Sequence, residues 1–183
     1  MNQEINQLIE GLSMLLSIKI PKIYYVEYDQ QNVILMDKNF NKISYDSRDI
    51  GYKVVSTLFV PKEYVIYINV DLLNDINKCR ILIIRKLRYI YQIKQIKTYK
   101  RKKKSSEKEY TINQWIHVIE LNKGFIQDSP LNYDQNAFCS IVMNCLYGII
   151  PRFDIKEQDR YTSRYEELNK KYADNLIKAV IKI

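Results

Sequence analysis

Apolar positions near the start of the chain follow the spacing of an amphipathic helix. Ile or Leu recurs at intervals of three and four residues, at positions 5, 8, 9, 12, 15 and 16. This spacing predicts a helix that ends before Pro21. The next two runs, KIYYVEYD and NVILMD, carry β-branched and aromatic residues and predict a hairpin. EYVIYINVDLL predicts a further strand, so the first half should form a small, mainly antiparallel sheet after an N-terminal helix.

A long helix is predicted to follow the strands, from about Lys78 to at least Lys97, with Asp75 or Asn77 as its N-cap. At roughly 100° per residue, apolar side chains occur on two opposite faces of this helix. One face carries Ile83, Ile84, Leu87, Ile90 and Tyr91, and the other is surrounded by Ile81, Leu82, Ile93 and Ile96. A helix that is apolar on both sides should be central and buried. Arg85 and Tyr89, four residues apart, share the second face.

Two more helices are predicted in the C-terminal half. Ser129 is a cap residue, Pro130 suits the first helical position and Gly148 suits the end of the same helix. The last helix should run from Asp154 to Ile183. The segment TINQWIHVIELNKGF before them predicts an irregular stretch or a short helix. The prediction is an α+β fold in which residues 1–183 form one domain.

Composition favours a globular protein of the cytosol. The apolar fraction is 46% and the aromatic fraction 12%, which is too apolar for a disordered chain. No run is long enough to predict a membrane span, and the start lacks the pattern of a signal peptide. Three cysteines without a CxxC pair and a single histidine do not predict a zinc site. No cofactor is expected.

Positive charge is concentrated in one region of the sequence. Residues 76–106 contain twelve Lys or Arg and no acid. The whole chain has 29 bases and 21 acids, so the rest carries 17 bases and 21 acids, a net charge of −4. Such asymmetry is typical of a surface that meets a polyanion, although a solvated connector explains a charge run equally well. Residues 97–108 are expected to form an exposed helix extension or a loop.

Within the central helix, IIRKLRYIYQ resembles the metal helix of small bacterial and phage metallopeptidase-like proteins, whose pattern is HELRHxxQ. Leu87, Arg88 and Gln92 match this pattern. Downstream, NYDQNAFC resembles a second helix of that family, E-x-D-A-x-A-F-A, through Asp134, Ala137 and Phe138. The resemblance covers about residues 20 to 147 and implies a minimal zincin-like fold.

The sequence departs from the family at the positions that carry the chemistry. Two His and one Glu would bind zinc and activate water in an HExxH helix. Arg85, Lys86 and Tyr89 occupy these positions, and Asn132 stands where the third, carboxylate ligand would fall. Arg85 would also repel a divalent cation. We therefore expect a pseudoenzyme without metal, catalytic residues or zinc peptidase activity.

The favoured hypothesis is a non-catalytic binding protein whose former active-site cleft has become basic. It would bind nucleic acid or a nucleoprotein, mainly through phosphate contacts. The residues assigned to this surface are Arg85, Lys86, Arg88, Tyr89, Lys97, Lys100, Arg101, Lys102, Lys103 and Lys104. Alternatively, Arg88 could reach an acid such as Asp134. The composition is typical of an AT-rich genome, which suggests a phage or mobile-element inhibitor of host defence, of the anti-CRISPR type.

Two alternatives stay open. The first is a nuclease or other nucleic-acid-processing enzyme that uses Asp154, Glu157 and Asp159, or Asp46 and Asp49, although neither set has the spacing of a Mg²⁺ site. The second is an interaction module that binds an acidic protein surface, with the final helix as the seam of a homodimer.

Overall fold

The computed structural model describes residues 2–29, 32–43, 56–121 and 129–181. Its helices are α1 (Asn2–Leu15), α2 (Ile76–Lys102), α3 (Glu109–Glu120), α4 (Pro130–Tyr147) and α5 (Gln158–Ile181). Its strands are β1 (Lys22–Asp29), β2 (Asn32–Met36), β3 (Lys42–Ile43), β4 (Thr57–Val60) and β5 (Val65–Asn69). A 3₁₀ turn, Val70–Asn74, connects β5 to α2.

The strands form one sheet in the order β3-β2-β1-β5-β4. Three of the pairs are antiparallel, and β1 runs parallel to β5. The α+β class, the N-terminal helix and the mainly antiparallel sheet are thereby confirmed. The predicted hairpin is β1 with β2, in which Tyr25 lies opposite Met36. The polar run that contains Asp46 and Asp49 lies outside the described residues.

Successive side chains along each strand point to opposite faces of the sheet. Ile23, Tyr25, Ile66 and Ile68 belong to the main cluster of buried apolar side chains, which also contains residues of all five helices. The opposite face carries a smaller cluster of Val26, Leu35, Val65 and Tyr67. Helix α2 packs against α1, α3 and α4, as predicted for a central helix, and α5 packs against α1 and α4.

Local hydrogen bonds explain where α2 begins and ends. The Asp75 carboxylate accepts a hydrogen bond from the Lys78 N–H at 3.0 Å and caps the first turn. At the other end Lys103 adopts a left-handed conformation, and its N–H donates to the Tyr99 carbonyl at 2.8 Å. The three bases of the last turn also suit the negative end of the helix dipole. The basic segment 97–108 is therefore helical to Lys102 and a loop afterwards.

Helix α4 follows the predicted punctuation, whereas α5 begins at Gln158 and not at Asp154 as predicted. The Ser129 hydroxyl accepts from the Asn132 N–H at 3.3 Å, and Gly148 ends α4 with φ +66°. The segment predicted as irregular or a short helix is helical up to Glu120 in α3, which buries Trp115, and its residues 122–125 lie outside the described ranges. Among the described residues, none of the helices combines the length and the apolar character needed to traverse a bilayer.

The apolar face of α5 is used within its own chain. Leu168, Tyr172 and Leu176 are buried in the main cluster. The interpretation of the final helix as a dimer seam is therefore wrong for this face, because α1 and α4 already cover it. A homodimer through another surface stays a prediction.

Candidate nucleic-acid interface

Arg88, in the middle of α2, is completely buried and bound to an acid on α4. Its Nε donates to Asp134 Oδ2 at 2.7 Å, and its Nη2 donates to Asp134 Oδ1 at 2.9 Å. Gln92, one turn later, also donates to Asp134 Oδ2 at 2.7 Å. The two segments that resemble the metallopeptidase-like family therefore contact each other through their matching polar residues. This two-pronged contact is the strongest geometry that an arginine and a carboxylate form.

The Arg88–Asp134 pair belongs to a larger network of buried charges. Arg164 of α5 donates to Asp134 at 2.7 Å and to Glu107 at 2.9 Å. Lys171 donates to Glu107 at 2.8 Å, and the Arg88 guanidinium lies 3.5 Å from the same carboxylate. Two acids and three cations thus compensate one another, with Lys171 at the solvent-exposed edge of the network. We call these five residues the buried charge network.

The pKa values in the buried charge network reflect this mutual compensation. Burial alone would raise the pKa of Glu107, but the charges of Arg88 and Arg164 outweigh it and lower the pKa to about 2. The same balance of burial against the two arginines lowers the pKa of Asp134. Both carboxylates are therefore ionised at neutral pH, and the network is held by full charges.

Arg88 was assigned to the anion-binding surface, and the structure shows that this assignment is wrong. Its side chain has 0% exposure and is enclosed by the rings of Tyr91, Phe138 and Tyr172. A side chain without accessible surface cannot contact a polyanion. Asp134 lies 46 residues from Arg88 along the chain, and Glu107 lies three residues after the last cation of the basic run. Arg88 therefore belongs to the core and not to the surface.

Arg85 and Lys86 differ from Arg88 because no carboxylate of the described chain pairs with them. Both are half-buried, and the buried Nε of Arg85 forms no hydrogen bond with any of the described residues. The Arg85 guanidinium lies 5.9 Å from the centre of the Phe153 ring. Burial lowers the pKa of Arg85, and burial followed by the charge of Arg85 lowers the pKa of Lys86. Two adjacent cations without an acid favour the approach of an anion.

Tyr89, the third residue at a former metal position, is half-buried beside them on the same helix. Burial raises the pKa of its hydroxyl, so the side chain is neutral at physiological pH. It can donate one hydrogen bond to an anion bound at Arg85. Asn132, which stands at the position of the third ligand, is buried on α4.

The remaining assigned cations lie at the exposed end of α2 and in the loop after it. All six are exposed, namely Lys97, Lys100, Arg101, Lys102, Lys103 and Lys104. Lys100 pairs with Glu120 of α3 at 2.8 Å. The other five form no ion pair within the described parts of the chain. The Lys103 ammonium lies over the ring of Tyr99, 5.3 Å from its centre.

The acids nearest to this surface in sequence do not neutralise it. Glu107 is buried in the charge network, and Glu109 accepts a hydrogen bond from the Tyr99 hydroxyl. Apart from Lys100, which pairs with Glu120, the cations of residues 97–104 are therefore open to solvent. We call the six exposed residues of this segment the α2 basic end.

A groove runs along the α2 basic end and was not predicted from the sequence. It has a volume of about 540 Å³ and lies between α2 and the turn that joins β4 to β5. Lys97 and Arg101 line it on the helical side, together with Lys94. Lys19 and Tyr64 line the opposite side. These two come from separate turns, so no local pattern indicates that they face α2.

The acids proposed for a nuclease at Asp154, Glu157 and Asp159 do not assemble into a site, and Asp46 and Asp49 lie outside the described residues. Asp154 and Asp159 are exposed, and Glu157 pairs with Arg160 at 2.7 Å. Over the ranges that the structure describes, no group of three or more His, Cys, Asp or Glu side chains is placed to hold a metal ion. Cys79, Cys139 and Cys145 are free thiols. The absence of metal and of catalysis stays a prediction.

The fold and the site define an α+β protein with a dense run of exposed positive charge on one helix and the loop that follows it. Comparison with family models, with curated proteins and with solved structures finds no match. The resemblance to metallopeptidase-like proteins therefore stays a prediction, and the function is argued from the site alone.

Proposed function

We propose that this protein binds nucleic acid through the α2 basic end, with phosphate contacts as the main source of affinity. The observation that carries the proposal is the set of five exposed cations, Lys97, Arg101, Lys102, Lys103 and Lys104, that form no ion pair within the described chain. Cations of this kind replace the counterions of a polyanion, which provides sequence-independent affinity.

The distribution of acids supports the same proposal. The rest of the chain has a net charge of −4, but of the acids near the α2 basic end only Glu120 pairs with one of its cations, while Glu107 is buried and Glu109 is hydrogen-bonded to Tyr99. If residues 97–108 were only a flexible connector, the nearby acids would not need to be held away from these cations. Lys86 and Lys97 are eleven residues apart, which is about three helical turns, so they lie on the same side of α2. The positive surface therefore continues along the helix. Lys86 and the neighbouring Arg85 extend the positive potential toward the middle of the helix.

The test is a comparison of two variants that lose the same charge. In the first, Lys100, Arg101, Lys102, Lys103 and Lys104 are all changed to Gln. In the matched control, the changed residues are the exposed Lys38, Lys42, Arg160, Lys170 and Lys178. Fluorescence anisotropy with labelled single-stranded and duplex oligonucleotides measures the affinity at about 100 mM salt.

The first variant is expected to bind at least about tenfold more weakly than the wild type, because several phosphate contacts are lost. The control should lose much less, although its net charge is identical. Equal losses in the two variants would show that net charge alone attracts the oligonucleotide. Absence of binding by the wild type would reject the proposed function. The anti-defence role expected from the composition stays a prediction.

A further inference from the structure

The groove beside α2 combines an apolar floor with a positively charged rim. The floor consists of Phe59, Ile90 and Ile93, and the first two of these side chains are buried in the core. Its volume of about 540 Å³ is within the range of small-ligand sites. The groove could therefore bind a planar apolar group, which the surrounding surface could not.

Tyr64 supplies an aromatic ring whose position is fixed by several contacts. Its hydroxyl donates to the Lys19 carbonyl at 2.9 Å, and the ring meets Phe59 edge-on, with the ring centres 5.7 Å apart. The backbone is left-handed, with φ +58°, which is uncommon for a bulky residue. Hydrogen bonds from its N–H to Val60 and from the Lys22 N–H to its carbonyl hold this conformation. The ring is thus preorganised at the side of the groove.

Four cations surround this apolar centre. Lys19, Lys94, Lys97 and Arg101 line the groove, and no acid is among the described residues that line it. Lys94 donates one of its three protons to the Ser17 carbonyl, which fixes the ammonium beside the groove. Arg101 belongs both to the groove and to the α2 basic end. The phosphate backbone of a strand bound to the α2 basic end would therefore lie next to the groove.

We propose that the groove holds an unpaired nucleotide of a single-stranded nucleic acid. Its base would lie against the Tyr64 ring and the apolar floor, and the phosphates on either side would contact Lys97 and Arg101. Every base has an aromatic face, so this mode of binding tolerates any sequence. A duplex keeps its bases stacked inside and cannot use the floor. The inference rests on the proposed function and specifies the ligand as single-stranded.

The experiment measures the binding of a 12-nucleotide strand with 2-aminopurine at its centre and of a blunt duplex of the same length. Tyr64→Leu removes the ring and keeps an apolar side chain, whereas Tyr64→Phe keeps the ring and serves as the matched control. Loss of stacking on one base corresponds to roughly a 5- to 150-fold loss of affinity. We expect such a loss for the single strand in Tyr64→Leu, little change in Tyr64→Phe, and no change for the duplex in either variant.

A second readout does not depend on the folding of a variant. Stacking on Tyr64 should alter the fluorescence of 2-aminopurine when the strand binds the wild-type protein. An unchanged signal on binding, or equal losses in Tyr64→Leu and Tyr64→Phe, would overturn the inference.

The outcomes also separate this inference from the proposed function. Equal binding of strand and duplex by the wild type would reject the groove as a base site and leave the phosphate-binding surface intact. Failure to bind either one would reject both. Binding of an acidic Glu/Tyr copolymer in place of both nucleic acids would assign the groove to an acidic protein partner and would also overturn both proposals.

Discussion

Loss of the Asp134 charge should destabilise the protein strongly. This carboxylate is 1% exposed and accepts hydrogen bonds from Arg88, Gln92 and Arg164 at 2.7–2.9 Å. Asp134→Asn keeps the shape of the side chain but removes its negative charge. The buried arginine then retains only Glu107, whose nearest oxygen lies 3.5 Å from its Nη2. Arg164 keeps Glu107 and Glu167 as partners, so the loss of charge falls mainly on Arg88.

The expected cost follows from the burial of these groups. Removing one partner of a buried ion pair costs about 3–5 kcal/mol, because the other charge stays buried without compensation. An exposed pair contributes only about 0–1 kcal/mol. Lys100 and Glu120 form such a pair, with both side chains more than half exposed. Glu120→Gln is therefore a matched control in which one acid of an ion pair also becomes an amide.

Urea unfolding, followed by circular dichroism at neutral pH, measures both variants. We expect the free energy of unfolding to fall by about 3–5 kcal/mol in Asp134→Asn and by at most about 1 kcal/mol in Glu120→Gln. Nearly equal, small losses in the two variants would refute the reasoning, because they would mean that Arg88 reaches water or another acid. An Arg88→Met, Asp134→Leu double variant should lose less than Asp134→Asn, since it leaves no unpaired charge in the core.

Three further predictions concern single residues. The pKa of Glu107 falls from 4.5 to about 2 on folding, so ionised Glu107 stabilises the fold by roughly 3 kcal/mol above pH 5 and this is lost between about pH 5 and pH 2. Urea titrations of Glu107→Gln should show a weaker acid dependence than the wild type, and an unchanged profile would contradict the lowered pKa. Lys86→Met should raise the free energy of unfolding at pH 7 by roughly 1 kcal/mol, because it removes a half-buried ammonium without an acid partner. A lower urea midpoint would show that the ammonium is satisfied. Gly148→Ala should cost about 1 kcal/mol, since φ is +66° and no atom lies within 4 Å of the added Cβ. Thermal unfolding would then shift by about 2–4 °C, and no shift would show that the end of α4 adapts.

The features predicted correctly from sequence depend on local physical chemistry. Asp75 and Ser129 precede α2 and α4 because their side chains cap the first helical turn. Gly148 ends α4 because glycine readily adopts the left-handed conformation. The β1–β2 hairpin follows in the same way from two adjacent β-rich runs. The parallel contact between β1 and β5 was not predicted. Their residues are some forty positions apart, and a local pattern predicts a strand but not its distant partner.

The assignment of Arg88 failed for a related reason. Position and spacing place it on α2, but only the fold shows that Asp134 and Arg164 meet it in the core. The alternative that Arg88 reaches an acid such as Asp134 could be stated from sequence, because both residues fall on the two resembling motifs. By contrast, Lys97 and Arg101 were assigned correctly to an exposed segment. Their role beside Tyr64 depends on a groove between distant elements, which no run of residues reveals.

The most direct test of nucleic-acid binding by the α2 basic end is the dependence of affinity on salt. The logarithm of the association constant is measured against the logarithm of the salt concentration for a single-stranded oligonucleotide. The slope reports the number of phosphates neutralised, at about 0.7 per contact for single strands. The wild type is predicted to show a steep negative slope, and Lys100, Arg101, Lys102, Lys103 and Lys104 changed together to Gln should make it shallower by about 2 or more. A slope that is identical in the two proteins would contradict the proposed interface.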